Sequence, residues 1–190
     1  MIFLTIGTQL PFPRLTEAMD HFASVNDEQV VAQIGEEKAS RPHLDVRSMI
    51  PPNEFGEMFQ RARVIVAHAG IGTVLSACRY RRPLILVPRR HDLGEHRNDH
   101  QVATAHSFEG TPGLYVAWDV SELPRLLTST ELVAPQLSQG RRHASLVRAL
   151  ADFISLKGPE GSAAPTSFGR VSQPQTQSQG DQEKRLWIPK

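Results

Sequence analysis

The sequence predicts an α/β domain built on a parallel sheet with helices on both faces. Three observations predict it. Short apolar runs alternate repeatedly with segments of helical period, which is the pattern of strands linked by crossover helices. One stretch shows the unit explicitly: Val64 to Ala67 reads as a strand, His68 to Thr73 as a small-residue turn, the segment through Arg79 as a helix and Leu84 to Val87 as a second strand. A strand–helix–strand crossover of that kind demands parallel strands. Finally, two glycine turns, Gly7-Thr8-Gln9 and His68 to Thr73, each follow directly on a strand.

The elements follow in order. Ile2 to Ile6 is the first strand, broken at Gly7. Pro11 and Pro13 delay a helix over about Arg14 to Ala23, with Leu15, Ala18, Met19 and Phe22 on one face. Gln29 to Ile34 is a strand, Gly35 to Pro42 a loop, and Leu44 to Ile50 alternates as a strand does. Pro52 opens a helix at its favoured first turn, and Phe55, Met58, Phe59 and Ala62 form its apolar stripe. After the central unit, Pro88 to Leu93 is a charged loop and Arg97 to Ser107 a helix. Leu114 to Ala117 is a short strand and Leu123 to Leu127 a helical turn. From Pro135 to Ile154, Leu137, Leu146, Leu150 and Phe153 recur at helical spacing, with Arg141, Arg142 and His143 as a solvated face. The domain is therefore expected over residues 1–156. Residues 157–190 are rich in Gly, Ser, Pro and Gln, and read as a disordered tail because they cannot bury enough apolar area to offset chain entropy. Leu186-Trp187-Ile188 is its one apolar cluster, read as incidental, with a docking motif as the alternative.

Composition narrows the class. A formal charge of +1 over 190 residues gives no general drive toward nucleic acid. The single cysteine, Cys78, excludes an internal disulfide and fits a reducing compartment, with the thiol read as buried and structural rather than nucleophilic. The start, MIFLTIGTQ, is too short for a signal segment, and no stretch approaches the roughly 18 apolar residues of a spanning helix. A soluble, cytoplasmic chain is expected, or one held at a membrane by a partner.

In a parallel sheet of this kind ligands sit beyond the C-terminal strand ends. Both glycine turns and the Pro88 to Arg90 loop converge there. Gly70 and Gly72 let a ligand approach the backbone. The N–H groups of Ile71 to Val74 would point from the helix start, where the dipole favours an anion. With the Thr73 hydroxyl, this is a candidate diphosphate seat, although a tight turn alone would look the same. Leu75 stands where a dinucleotide fingerprint needs glycine, which disfavours a dehydrogenase, and no Walker A loop occurs. His68 reads as buried behind the turn, with substrate contact as the alternative. Asp99 and His100 point about 100° apart on a helix. His96 and His100 are spaced i,i+4, but no third ligand is evident and no Glu follows His96, so no metal site is expected. Asp92 and Glu95 read as loop carboxylates, and Arg89 and Arg90 as a basic rim with one facing phosphate.

At these residues the sequence resembles a known family. MIFLTIGTQLPFPRL, HAGIGTVLSACRYRRPLILVPRR and EHRNDHQVATA occur in the order and spacing of the glycosyltransferase family 28 C-terminal domain. The resemblance runs over about Met1 to Phe153 and is strongest to the short catalytic subunits of two-subunit UDP-sugar glycosyltransferases. These include the eukaryotic enzyme that adds the second N-acetylglucosamine to the dolichol-linked oligosaccharide, and bacterial capsule and exopolysaccharide enzymes, toward which LGEHRNDHQ leans.

The resemblance implies a Rossmann-like domain, the C-terminal, nucleotide-sugar half of a GT-B enzyme. It implies that Gly70, Ile71, Gly72, Thr73 and Ser76 hold the donor diphosphate and ribose. Ser76 stands near where the related peptidoglycan enzyme has an acidic residue on the ribose. It also implies that Asn98, Asp99, His100 and Gln101 reach the donor sugar, and that Gly7, Thr8 and Gln9 face the same cleft. No D-x-D occurs in the sequence, so metal-free, inverting transfer is expected, with Arg89 and the helix start stabilising the departing UDP and no cofactor beyond the donor. The implied partners are a membrane-anchored acceptor-binding subunit, a UDP-sugar and a lipid-linked saccharide acceptor, with no nucleic acid, and hence a location at the inner face of the membrane. The general base is left open: His68, Asp99 and His100 are candidates on this chain, and the partner is the other place for it. A non-catalytic UDP-sugar-binding or enhancer module is the alternative function. A sugar-nucleotide 2-epimerase is disfavoured because it needs both halves in one chain. The sugar itself is open; a carboxylate-bearing donor would want an extra cation such as Arg90 or Arg97.

Overall fold

A computed structural model describes residues 1–135. The expected helix over 135–154, the Arg141, Arg142 and His143 face, the tail over 157–190 and the cluster at 186–188 lie outside the described residues.

Six strands form one sheet: β1 (Ile2–Thr5), β2 (Val30–Gln33), β3 (Asp45–Arg47), β4 (Val64–His68), β5 (Leu84–Val87) and β6 (Leu114–Val116). Every pairing is parallel, and the spatial order is β3-β2-β1-β4-β5-β6. Ile2 lies between Val30 and Val64, and Thr5 between Gln33 and Ala67. The chain winds outward from β1 in one direction and then, after β3, returns to wind outward from β4 in the other. This order places a switch point between β1 and β4, where a crevice opens at the C-terminal ends.

Among the described residues, five helices cover the two faces: α1 (Pro13–Ser24), α2 (Pro52–Arg61), α3 (Ile71–Tyr80), α4 (His100–Phe108) and α5 (Leu123–Thr128). A 3-10 turn, Val120–Glu122, leads into α5. The pleat sorts the strand residues. Ile2, Leu4, Val64, Val66, Ile85 and Val87 pack on Leu15, Met19 and Phe22 of α1 and on Leu123, Leu126 and Leu127 of α5. Phe3, Ile65, Ala67, Leu84 and Leu86 pack on Phe59 of α2, Val74, Ala77 and Cys78 of α3, and Ala105 of α4. The interior strands are thus buried on both sides, which is why they read as continuous apolar runs rather than alternating ones. Burial also raises the pKa of the Cys78 thiol, as expected of a structural cysteine.

Two boundaries moved. The strand expected over Leu44 to Ile50 shrinks to β3, an edge strand with Val46 and Arg47 exposed. The helix expected from Arg97 begins at His100, with Asp99 (φ −92°, ψ 24°) just before it. Asp99 and His100 are therefore not successive helical residues, and His96 and His100 do not share a helix face. Two sets of bonds hold the segment as a folded loop instead: Arg90 to Asp92, the His91 ring to the His96 carbonyl and His96 to Asn98 within it, and Arg14 gripping Glu95 from α1. No described helix is long and apolar enough to cross a membrane.

Candidate functional site

A cleft of about 760 Å³ opens at the switch point. Four segments, each following a strand, build its walls. The β1 turn supplies Gly7, Thr8, Gln9 and Leu10; the β4 turn supplies His68, Gly70, Gly72 and Thr73. The segment after β5 supplies Arg89, His96 and Gln101, and the segment running from β3 into the first turn of α2 supplies Met49, Ile50, Pro52 and Phe55.

The two glycine turns meet across one imidazole. A Cβ at Gly70 would fall 2.3 Å from Nε2 of His68, and one at Gly7 would fall 2.8 Å from its Cε1. Gly7 also has φ +81°, a left-handed conformation that only glycine adopts without cost. The His68 ring is thus a wedge between the two turns. Its Nδ1 is buried without a protein partner. Burial, then the nearby Arg89 charge, lowers its pKa to about 4, with the Thr5 backbone opposing. His68 is neutral at neutral pH.

Helix α3 starts against the cleft. Gly70 is its N-cap, and the Gly70 carbonyl accepts the N–H of both Thr73 (3.1 Å) and Val74 (3.3 Å). The expectation of free N–H groups from Ile71 to Val74 is corrected: a tight first turn consumes two of them and leaves Ile71 and Gly72 as the open pair. A Cβ at Gly72 would meet nothing within 4 Å. Ser76, one turn further in, donates its hydroxyl to the Gly72 carbonyl at 2.9 Å.

Arg89 is not on a rim. It is 3% exposed. Its guanidinium donates to the carbonyls of Ile6 (3.0 Å) and Leu10 (2.5 Å) and lies 4.8 Å over the Phe12 ring, while its backbone N–H donates to Gln101 Oε1 at 3.1 Å. It fastens the β1 turn to the end of β5 and brings a positive charge to the cleft floor. Burial lowers its pKa to about 10, with Glu95 and Glu37 opposing, so it stays charged at neutral pH. Its Nε is buried without a protein partner. Arg90 pairs instead with Asp92 at 2.5 Å on the exposed side of the loop.

Of the residues singled out from sequence, Gly7, Thr8, Gln9, His68, Gly70, Gly72, Thr73, Arg89 and Gln101 line the cleft. Ile71, Ser76, Asn98, Asp99 and His100 stand outside its lining. Asn98 braces His96, Asp99 accepts the His91 N–H at 3.2 Å, and Ile71 is exposed beside the mouth. Asp92 is exposed, and Glu95 is held bidentate by Arg14. Among the described residues no three His, Cys, Asp or Glu side chains are grouped to hold a metal.

Sequence reasoning missed the wall from Met49 to Phe55, and also Thr5, Gln33 and His96 as cleft residues. A signal existed for Gln33: a polar residue closing the apolar run Val30 to Ala32 marks a C-terminal strand end. Gln33 is 3% exposed and its Oε1 accepts the Ile50 N–H at 3.2 Å, tying the missed wall to the sheet.

Comparison with known proteins places the chain. It matches the glycosyltransferase family 28 C-terminal domain over residues 1–150 and belongs to that family. A search of curated proteins returned no match. Among solved structures it is similar to the glycosyltransferase of kitacinnamycin, with 19% identity and a TM-score of 0.53 over 83% of this chain and 43% of that one. It is similar to ALG13, with 17% identity and a TM-score of 0.52 over 81% of this chain and 96% of that one. It is also similar to MurG of Acinetobacter baumannii, with 17% identity and a TM-score of 0.50 over 69% and 42%. The chain thus spans under half the length of two of these structures and nearly all of the third. The shared fold is the C-terminal domain of GT-B glycosyltransferases.

Proposed function

We propose that this chain is the donor-binding, catalytic subunit of a two-subunit glycosyltransferase that moves a hexose from a UDP-sugar to a lipid-linked acceptor by metal-free, inverting displacement. The observation that carries the reading is the pair of open N–H groups at Ile71 and Gly72, beside an open approach at Gly72, at the edge of a switch-point cleft that Gly70, Gly72 and Thr73 line. A diphosphate seated there would accept both N–H bonds at the positive end of α3. The Thr73 hydroxyl is beside it. The Arg89 charge beneath would oppose the negative charge that builds on UDP as it departs, in place of a divalent ion. Gln101 presents its amide to the same cleft, its Oε1 fixed on Arg89 and its NH2 left for a sugar hydroxyl.

Two observations favour a partner. Leu10, Met49, Ile71 and Leu93 are large apolar side chains, each more than 40% exposed, and they stand around the mouth of the cleft and beside it. The chain also aligns along nearly the whole of ALG13, a short chain of the same fold. An acceptor-binding subunit over that mouth, itself anchored in the membrane, would cover the apolar rim and bring a lipid-linked saccharide to the donor. Exopolysaccharide or capsule synthesis is the setting that the motif LGEHRNDHQ favours.

The test is calorimetric titration of the chain with UDP and then UDP-glucose, UDP-galactose, UDP-N-acetylglucosamine and UDP-glucuronate, with and without EDTA. UDP binding that EDTA leaves unchanged is expected, and the tightest sugar nominates the donor. Binding that EDTA abolishes overturns the metal-free mechanism. No binding of any UDP-sugar, alone or with the partner supplied, overturns the donor-site reading.

A further inference from the structure

A second groove, about 710 Å³, adjoins the cleft and shares Gln9, Leu10 and His96 with it. Pro11, Pro13, Leu93, Gly94, Glu95 and Arg97 complete its lining. His96 therefore stands where the two cavities meet.

Its ring is held in one protonation pattern. Nδ1 lies 3.1 Å from the Asn98 carbonyl oxygen and 3.0 Å from Asn98 Oδ1. A carbonyl oxygen only accepts, so Nδ1 carries the proton and the neutral ring keeps its lone pair on Nε2. No described side chain or backbone group bonds Nε2. The loop that carries the ring is braced on every side. Arg14 grips Glu95 at 2.6 and 2.9 Å and also donates to the Pro88 carbonyl at 3.0 Å. Glu95 accepts the Arg90 N–H at 3.0 Å, and the His91 ring bonds the His96 carbonyl at 3.0 Å. A base on a braced loop, in a fixed tautomer, with Nε2 unbonded and the residue lining two adjoining cavities, is placed to take a proton from a group arriving through one cavity and reacting in the other.

We propose that His96 is the proton acceptor of the transfer, taking the acceptor hydroxyl proton on Nε2 where the groove meets the donor cleft. This rests on the donor-site reading above. As the acceptor oxygen forms its bond to the anomeric carbon, its proton passes to Nε2. The bond from that carbon to the diphosphate oxygen breaks, and its electron pair leaves with UDP. The imidazolium then gives its proton to water. The other candidates are placed less well. His68 is wedged between Gly7 and Gly70, Asp99 is engaged by the His91 N–H, and His100 stands outside both linings.

The experiment has two arms on the full chain. In membranes of the producing cell, with its own copy replaced by the wild-type or His96→Gln chain, transfer of labelled sugar from the UDP-sugar into lipid is measured. UDP affinity is measured in parallel on the purified chains. Transfer lower by roughly 10²–10⁴-fold with UDP affinity within about twofold supports the proposal. Transfer lowered less than about tenfold overturns it, as does a matching loss of UDP affinity, which would move His96 to the diphosphate. No transfer and no UDP binding by the wild-type chain would instead sink the donor-site reading, and this proposal with it. The second arm reads the ring directly by long-range proton–nitrogen NMR, assigned with His96→Gln. The Nδ1–H tautomer is expected in the neutral ring. An Nε2–H tautomer overturns the proposal whatever the transfer assay shows.

Discussion

The two glycine turns flank the switch point and contain similar residues, yet they differ in what their backbones do. The turn after β1 is closed. Arg89 occupies the carbonyls of Ile6 and Leu10, the Gly7 N–H sits 3.4 Å from the Thr5 hydroxyl, and prolines hold α1 back until Pro13. The turn after β4 is open. It runs straight into α3 and leaves the Ile71 and Gly72 N–H groups facing outward. Similar composition thus serves two purposes. One turn is glycine-bearing to accommodate the protein itself, and the other carries at Gly72 a glycine whose Cβ position meets only open space, the approach that the proposed donor site would use. Gly70 belongs to the first kind although it sits in the second turn, because the His68 ring presses against it.

The sharpest way to break this comparison is Gly7→Ala. The substitution forces a left-handed φ on alanine, at about 1–2 kcal/mol, and overpacks a buried ring, at about 1–3 kcal/mol. A loss of about 3 kcal/mol of folding stability is expected in urea unfolding. A loss under about 1 kcal/mol would mean that the His68 ring yields easily and that the closed turn is not its support.

A smaller effect comes from acid. The folded state holds His68 neutral, with a pKa of about 4 against the usual 6.5. The unfolded chain then binds the proton first as pH falls, so this contribution to stability is whole above pH 6.5 and is lost as pH drops toward 4. Between pH 6.5 and 5 the loss amounts to about 2 kcal/mol. His68→Asn removes the titration, so its urea midpoint should change less over that range than that of the wild-type chain. Parallel slopes would show that the wedge is solvated rather than buried between the turns.

The legibility of the molecule follows the same division. The sheet was legible because strands buried on both faces leave continuous apolar runs, and Val64 to Ala67 and Leu84 to Val87 were read nearly to the residue. Both glycine turns were legible as turns, and the topology put them at one edge. What each glycine answers to was not legible, since the His68 ring reaches Gly7 from the neighbouring strand, some sixty residues away in sequence, and no local pattern encodes that contact. The loop from Arg90 to Asn98 was misread in part as helix. Its conformation depends on Glu95 reaching Arg14, far away in sequence, and on His91 bonding the His96 carbonyl. His96 was weighed as a metal ligand because its spacing from His100 was visible, while the carbonyl that sets its tautomer was not.

The smallest expected change in stability is also the most informative about the open turn. Gly72→Val places a side chain where a Cβ meets only open space, near the start of a helix whose core-facing residues are Thr73, Val74, Ala77 and Cys78. Stability should move by less than about 1 kcal/mol, since a glycine is replaced on a helix without overpacking. UDP affinity should fall at least about tenfold, or about 1.4 kcal/mol, because the branched side chain stands in the approach to the Ile71 and Gly72 N–H groups. Ser76→Ala is the matched control one turn inward. Its hydroxyl proton is already committed to the Gly72 carbonyl, so only an accepting lone pair remains for a ribose hydroxyl, and the affinity loss should stay near 1 kcal/mol or less. If calorimetry showed UDP affinity kept in Gly72→Val and lost in Ser76→Ala, the ligand would have to lie along the flank of α3 rather than at its start. The open N–H pair would then be an ordinary solvated helix end, and the two turns would differ only in how the protein packs them.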